Sequence, residues 1–401
     1  MYIKLSGMQQ SVEDVRPSIS TPVHRTLSRV KSWCIDTALP YWGDVGFDHR
    51  ANAFHECLEF SGEPALAARR RTMVQGRQVY AFAHAAKLGW FPQGIGPAIR
   101  AAENMIKLHW SPDNQPGWVF SLHPDGTVAD ATRDMYTHAF ALYGLAWAYT
   151  LTSGREFRKI ADQTFAFVDS CLSSTGDDLS LHNLMNRERR QNPYMHLFEA
   201  ALTWYEVTGD SIYIHRADEI FTLFTTRFFQ PRTSILVEYF DQAWLPIVGL
   251  KGRSFEPGHH FEWVWLLHRY RRQTGRMVSG YTEPLFSTAF EMGFVDNAIA
   301  AEVQDDATIV SREVRVWPCT EALKAAAAEH EAGREKMAQF TGRLLRILER
   351  HFLGQPFAAG WLDHFNSDGS LKAKSVPAST LYHIVLGLAE ADRTFNVIPN
   401  N

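Results

Sequence analysis

The chain has 401 residues, 21% of them charged and 45% hydrophobic, and its formal net charge is −4. This is the profile of a water-soluble globular protein, and it lacks the basic surplus that nucleic-acid binding needs. No run approaches the roughly 18 apolar residues that span a bilayer, and the opening residues, with Glu13, Asp14 and Pro17, lack the apolar core of a secretory signal.

Cys34, Cys57, Cys171 and Cys319 are scattered without metal-like spacing, which predicts free thiols and a cytoplasmic location. Aromatic residues make up 13% of the chain, including 12 Trp. Such content suits either a sugar-stacking pocket or a large aromatic core, and composition alone favours the core.

Residues 1–20 read as a flexible N-terminal segment ahead of one domain over 21–395. Apolar residues recur at three- and four-residue spacing through 22–39, 77–88, 97–108, 135–152, 155–172, 193–208, 211–229, 259–274, 281–295, 320–330, 331–351 and 377–393, which predicts about twelve helices. The best strand candidate is 233–239. Some connections are tight, as at Ser153-Gly154 and Gly209-Asp210. Others are long and rich in Trp, Gly, Pro and His, as at 39–64, 111–134, 241–259 and 354–377. Alternating short and long links predict helical hairpins whose long loops gather at one end, where function is expected. No fixed-period repeat supports a solenoid.

Several polar groups interrupt these apolar helices. Arg77 opens one of them, as a fork for sugar hydroxyls or as the partner of a structural carboxylate. Asp134, Tyr136 and His138 form a weaker cluster. Asn192 reads as an N-cap with Pro193 at N1, and Asn192, His196 and Glu199 share a face at i, i+4 and i+7. Arg253, in the loop before the next inner helix, is counted with the substrate-binding groups. After the Pro257-Gly258 turn, His259 and Glu262 lie one helical turn apart, where a carboxylate can fix an imidazole's tautomer; the same spacing also fits a capping pair. Arg315, Trp317 and Glu321 form another polar spot. His383 sits inside the final helix beside Leu381 and Tyr382, where a satisfied core histidine is the simpler reading. Gly94-Ile95-Gly96 follows no strand, and neither a HExxH, a GxSxG nor a Walker A pattern is present.

Taken in order, Phe54-His55-Glu56-Cys57-Leu58, Gln75-Gly76-Arg77-Gln78-Val79-Tyr80, Asp134 to Phe140, Asn192 to Ala200, Pro257 to Trp265, Arg315-Val316-Trp317 with Glu321-Ala322, and Tyr382-His383 resemble the N-acylglucosamine 2-epimerase superfamily. That superfamily includes cellobiose 2-epimerases, mannose isomerases and sulfoquinovose isomerase. The likeness runs from about Trp33 to Arg393. It implies an all-α (α/α)6 barrel with neither metal nor cofactor, binding one monosaccharide as a monomer or homodimer. It also implies that His259 and His383 move the protons, with Glu262 orienting His259. Arg77, Asn192 and His196 would hold hydroxyls, Tyr136 and Trp317 would pack on the ring, and Glu199 would join the binding set. The expected activity is conversion of D-mannose to D-fructose, since the Arg77, Asn192 and His196 pattern resembles that of the small-aldose isomerases. N-acylglucosamine 2-epimerisation is the alternative, and a catalytically inactive carbohydrate-binding protein the second. A barrel glycosidase would need two carboxylates roughly 5–10 Å apart across the scissile bond, and histidine-centred clusters suit proton transfer better.

Overall fold

The computed structural model describes residues 21–173 and 188–396, so the segment 1–20 lies outside the described residues. Its helices are α1 (Thr21–Trp33), α2 (Leu39–Asp44), α3 (Thr72–Lys87), α4 (Ile95–His109), α5 (Met135–Thr152), α6 (Arg155–Ser173), α7 (Gln191–Thr208), α8 (Ser211–Leu223), α9 (Pro257–Thr274), α10 (Ser279–Gly293), α11 (Val316–Glu331), α12 (Met337–Ile347) and α13 (Ser379–Phe395). Wider π-type turns at Cys34–Ala38, Phe224–Phe228 and Leu348–Phe352 interrupt the periodicity, so the segments 22–39, 211–229 and 331–351 are each broken helices.

Helices α3, α5, α7, α9, α11 and α13 each pack against the next, and α13 closes on α3. They form the inner ring of an (α/α)6 barrel, with α4, α6, α8, α10, α12 and α1 outside it. The sequence explains the sorting. Inner helices such as α5 (MYTHAFALYGLAWAYTLT) are apolar around the whole circumference and so must be buried on every side, whereas α6 and α12 carry one apolar stripe over an otherwise polar surface. The ring's seam is tied by Gln78 of α3, whose amide donates to the carbonyl of Ala378, 300 residues away. Gly76 and Gly144 bring α3 and α5 close together; a Cβ on Gly144 would lie 2.8 Å from the Gly76 Cα. Half of the twelve tryptophans are fully buried core residues: Trp42, Trp118, Trp204, Trp263, Trp265 and Trp361.

Inner helices lead into outer ones through tight turns, with Ser153, Gly209 and Gly275 in the left-handed region at the helix ends. The return links are long and carry short antiparallel ribbons. A two-residue strand stands just before the inner helices α3, α7, α9, α11 and α13, with registers Arg71 to Ser121, Arg190 to Tyr239, Phe255 to Val303, Arg315 to His364 and Pro377 to Cys57. Each pairing pins a helix N-terminus at the loop-rich end. The expected strand at 233–239 is two shorter ones, Ile235–Leu236 and Tyr239–Phe240, because the segment changes partners at Glu238.

Candidate active site

The loop-rich end is where the polar residues of the inner helices collect, all within the first three turns. His259 lies in the first turn of α9, and its Nδ1 is 3.0 Å from Glu238 Oε1 and 3.9 Å from Glu256 Oε2. Glu238 is itself fixed: Oε2 accepts from Gln191 Nε2 at 2.9 Å, and Gln191 Oε1 in turn accepts from Trp263 Nε1 at 2.7 Å. Burial opposes charge on this imidazole, as does the positive end of α9. Glu238, Glu256 and the more distant Glu262 overcome both and lift it to about 10, so His259 is an imidazolium at neutral pH. Burial together with Glu238 and Glu302 pushes the Glu256 carboxyl up to about 7, against the pull of His259 and Arg315.

The orienting partner of His259 is therefore Glu238 rather than Glu262. The rim segment delivers Glu238 onto Nδ1, and the Glu262 carboxylate points deeper, with Oε1 3.8 Å from His196 Nδ1 and 3.9 Å from Lys324 Nζ.

His383, in the first turns of α13, is held the same way: Nδ1 is 2.7 Å from Glu321 Oε1. The other Glu321 oxygen forms a close ion pair with the wholly buried Lys324, whose ammonium also lies 4.2 Å over the Trp265 ring. Burial and Glu262 push the Glu321 carboxyl upward, so its ionised form depends on Lys324. Burial, Arg77, Lys324 and His196 hold His383 well below the usual histidine range, so it is neutral. With Nδ1–H donated to Glu321, the lone pair is left on Nε2.

Between the two histidines stands Trp317, its ring centroid 5.1 Å from that of His259 and 5.9 Å from that of His383. The third wall is continuous. Arg77 Nη2 donates to the Tyr136 hydroxyl at 2.6 Å, and its guanidinium lies 4.1 Å over the Phe140 ring. Tyr136 and Phe140 meet the His196 ring at 5.2 and 4.4 Å. His196 Nδ1 is 3.2 Å from Glu199, whose oxygens both accept from the Tyr382 hydroxyl at 2.8 Å, and Tyr382 packs on His383.

Of the residues expected from sequence, His259, Glu262, His383, Arg77, Tyr136, His196, Glu199 and Trp317 come together. Asn192 does not cap α7, which begins at Gln191 with Arg190 ahead of it; its buried Oδ1 instead has no partner, an acceptor left for something else. Arg253 is not brought in: it is half-exposed at the rim, its Nε 2.9 Å from Asp305 Oδ1. His138, from the weaker cluster, is structural, accepting from Trp118 N and contacting the Asp134 carbonyl through Nδ1.

Sequence reasoning missed Glu238, Gln191, Glu256, Lys324 and the tie between Tyr382 and Glu199, and gave Glu321 no role. Lys324 lies in EALKAAAA, which reads as an exposed helix face, and only the ring places it inside. A clue existed for Glu238, which breaks the apolar run Ile235–Val237.

Two donor sets, His196 with Glu199 and Glu262, and Glu238 with Glu256 and His259, are spaced as a cation would need. Each already faces a positive group of the protein: Lys324 stands beside Glu262, and the charged His259 belongs to the second set. The unpartnered oxygens and the positive ends of six helices leave the space suited to a polyhydroxylated ligand that gains negative charge as it reacts.

The sequence profile of the N-acylglucosamine 2-epimerase (GlcNAc 2-epimerase) family matches residues 53–387. The chain is 34% identical over 390 residues to a protein of Rhizobium meliloti named mannose-6-phosphate isomerase, covering 92% of this chain and 97% of that one. It is 29% identical to a D-mannose isomerase of Thermobifida fusca, over 70% of this chain and 73% of the other. Among solved structures, the cellobiose 2-epimerase of Spirochaeta thermophila superposes with a TM-score of 0.82 at 20% identity, over 95% of this chain and 99% of that one. A D-mannose isomerase superposes at 0.80 and 18%, over 95% and 100%. At those identities the superpositions speak for the fold.

Proposed function

As the chain belongs to the N-acylglucosamine 2-epimerase family and is a sugar isomerase or epimerase, we propose that it is an aldose–ketose isomerase converting D-mannose to D-fructose. The observation that carries this reading is the pair of buried histidines on either side of Trp317, each with Nδ1 against a glutamate, one ringed by further carboxylates and the other set beside the Glu321–Lys324 pair and Arg77. Environments that drive two titratable groups apart mark one as acid and the other as base.

His259, as imidazolium, passes its Nε2 proton to the ring oxygen O5 as the C1–O5 bond breaks, and takes up the O1 hydroxyl proton as the C1 carbonyl forms. It then stands as a donor to O1. Neutral His383 removes the proton from C2 with Nε2, the electron pair moves into a C1–C2 double bond, and O1 takes up negative charge stabilised by His259 and by the helix N-termini. Returning the same proton from His383 to C1, while the O2 proton passes to O1 and the C2–O2 carbonyl forms, gives the ketose. Arg77, Asn192 and His196 hold hydroxyls, Trp317 and Tyr136 pack on the carbon faces, and Glu238 and Glu321 fix the tautomers. Glu262 and Glu199 balance Lys324 and His196 beneath the substrate.

Support for mannose comes from the two isomerase relatives at 34% and 29% identity. Support for a free sugar rather than its 6-phosphate comes from the rim. There a cavity of about 240 Å³ is walled by Glu238, Glu256, Glu302 and Glu313, and the nearby cations His259, Lys372 and Arg315 are each drawn to a carboxylate of the protein rather than gathered to receive a phosphate dianion.

The test is proton NMR of the protein with D-mannose in D2O, with and without EDTA, repeated with mannose 6-phosphate and N-acetylmannosamine. Fructose appearing with deuterium in the sugar supports the proposal. Glucose as first product, or exchange only at C2 of N-acetylmannosamine, hands it to 2-epimerisation. Turnover of the phosphate ester alone overturns the free-sugar reading, and no exchange with any aldose leaves a binding protein.

A further inference from the structure

The opposite mouth of the barrel holds a second cavity, of about 570 Å³, within the range of small-molecule sites. It is built from the last turns of inner helices: Lys87 of α3, Trp147 of α5, and Trp265, Arg269 and Arg272 of α9, with Arg393 of α13. Of these only Trp265 touches the site described above, through Lys324.

Its charges are unevenly matched. Arg269 donates to Glu206 at 2.8 Å, and Arg393 to Glu390 at 2.8 Å and to Glu331. Among the described residues, the only ion pair of Arg272 is a 3.7 Å contact with the same Glu331 that Arg393 occupies. Lys87 makes no ion pair among the described residues, and its ammonium stands 5.7 Å from the Trp147 ring centroid. Burial and the neighbouring Arg393 and Arg269 hold Arg272 below its ordinary value, as expected of crowded like charges. Cations at helix C-termini are favoured by the macrodipole in any case. That preference does not account for the aromatic wall, nor for two buried polar atoms left unpaired, Trp147 Nε1 and Gln273 Oε1.

A cluster of guanidinium and ammonium groups matches a phosphate. Flat aromatic faces match a ring, and the carboxylates Glu206 and Glu390 can accept from hydroxyls. We propose that this basal cavity binds a small phosphate monoester carried on a ring-bearing, hydroxylated molecule, a sugar phosphate or a nucleoside monophosphate, at a site separate from the catalytic one.

The experiment titrates glucose 6-phosphate, AMP, inorganic phosphate and glucose into the full-length enzyme, following tryptophan emission, calorimetric heat and the thermal midpoint, which a ligand of the native state raises. Saturable binding of an ester is expected, with inorganic phosphate weaker and glucose not binding. Arg272→Glu and Lys87→Glu, both at solvent-accessible positions, should each weaken it roughly tenfold or more, the loss of one charge-assisted contact, while isomerase activity is unchanged. Whether glucose 6-phosphate or AMP binds more tightly identifies the source of the ester. No saturable binding by either ester overturns the proposal. So does binding that both substitutions leave untouched but that excess mannose abolishes, since the ester would then lie in the catalytic site. Equal binding of inorganic phosphate overturns the ring-bearing part. The assay does not depend on turnover, so its failure and that of the isomerase reading are distinguishable.

Discussion

The surroundings of His259 and of His383 differ more than their hydrogen bonds do. Each imidazole has Nδ1 against a glutamate, at 3.0 Å for Glu238 and 2.7 Å for Glu321. Around His259 the further charges are Glu256 and Glu262, and the ring is held protonated. Around His383 the glutamate is tied to Lys324, and Arg77 and His196 add positive potential, so the ring is held neutral. One bond to a carboxylate thus fixes which nitrogen carries the proton, while the wider field decides whether a second proton stays. The neighbouring His260 marks the far limit: accepting from Leu236 N and buried away from carboxylates, it is pushed down to about 3 and serves structure alone.

The hardest blow to this contrast is loss of the base itself. His383→Ala should lower kcat by roughly 10²–10⁴, the usual contribution of a positioned proton carrier, and His259→Ala should slow ring opening most; steady-state rates with mannose and with a substrate that cannot close a ring separate the two. Lys324→Met should come next. It leaves Glu321, Glu262 and Glu199 buried without their cation, which costs about 3–5 kcal/mol of stability. Denaturant unfolding measures that cost, and His383 chemical shifts should report a changed tautomer, which a merely structural role would not produce.

Glu238→Gln acts on the other half. Glu238 raises the His259 value, so its removal should move the alkaline limb of kcat/KM down from about 10. An unmoved limb would mean that Glu256 and Glu262 carry the field without it. Between the limbs, activity of the natural protein should persist through neutrality, because His383 stays unprotonated and His259 stays charged, with a shallow inflection near pH 7 where the neighbouring Glu256 carboxyl titrates. The smallest effect belongs to Arg253→Ala. Its exposed pair with Asp305 and Asp306 predicts a stability change within about 0.5 kcal/mol and no change in kcat.

What the sequence revealed follows the same division. Helix periodicity and the alternation of short and long links carried the barrel, because both are local properties. Polar groups inside apolar helices drew attention to His259, His383 and Arg77, but local spacing left His259 compatible with a capping pair and His383 a core histidine, and it was the family resemblance that grouped them with Trp317. The guessed partner of His259 failed because local spacing offers only Glu256 and Glu262, three residues to either side, whereas Glu238 is brought in by a rim ribbon from 21 residues away. Lys324 was illegible for a related reason. A lysine among alanines announces solvent, and only closure of the ring buries it.

That closure bears on how the enzyme comes into being. The seam between α3 and α13 joins segments made at opposite ends of synthesis, so the ring stays open until the last inner helix arrives. A closing contact of such length is a slow step in folding. Before it forms, the apolar flank of α3 lacks the neighbour that covers it, and the nascent chain is exposed to aggregation. Because His383 rides on the closing helix, a chain halted short of α13 holds the acid without the base. Recovery of activity on refolding should therefore lag the recovery of helical signal, and the delay times the shutting of the ring.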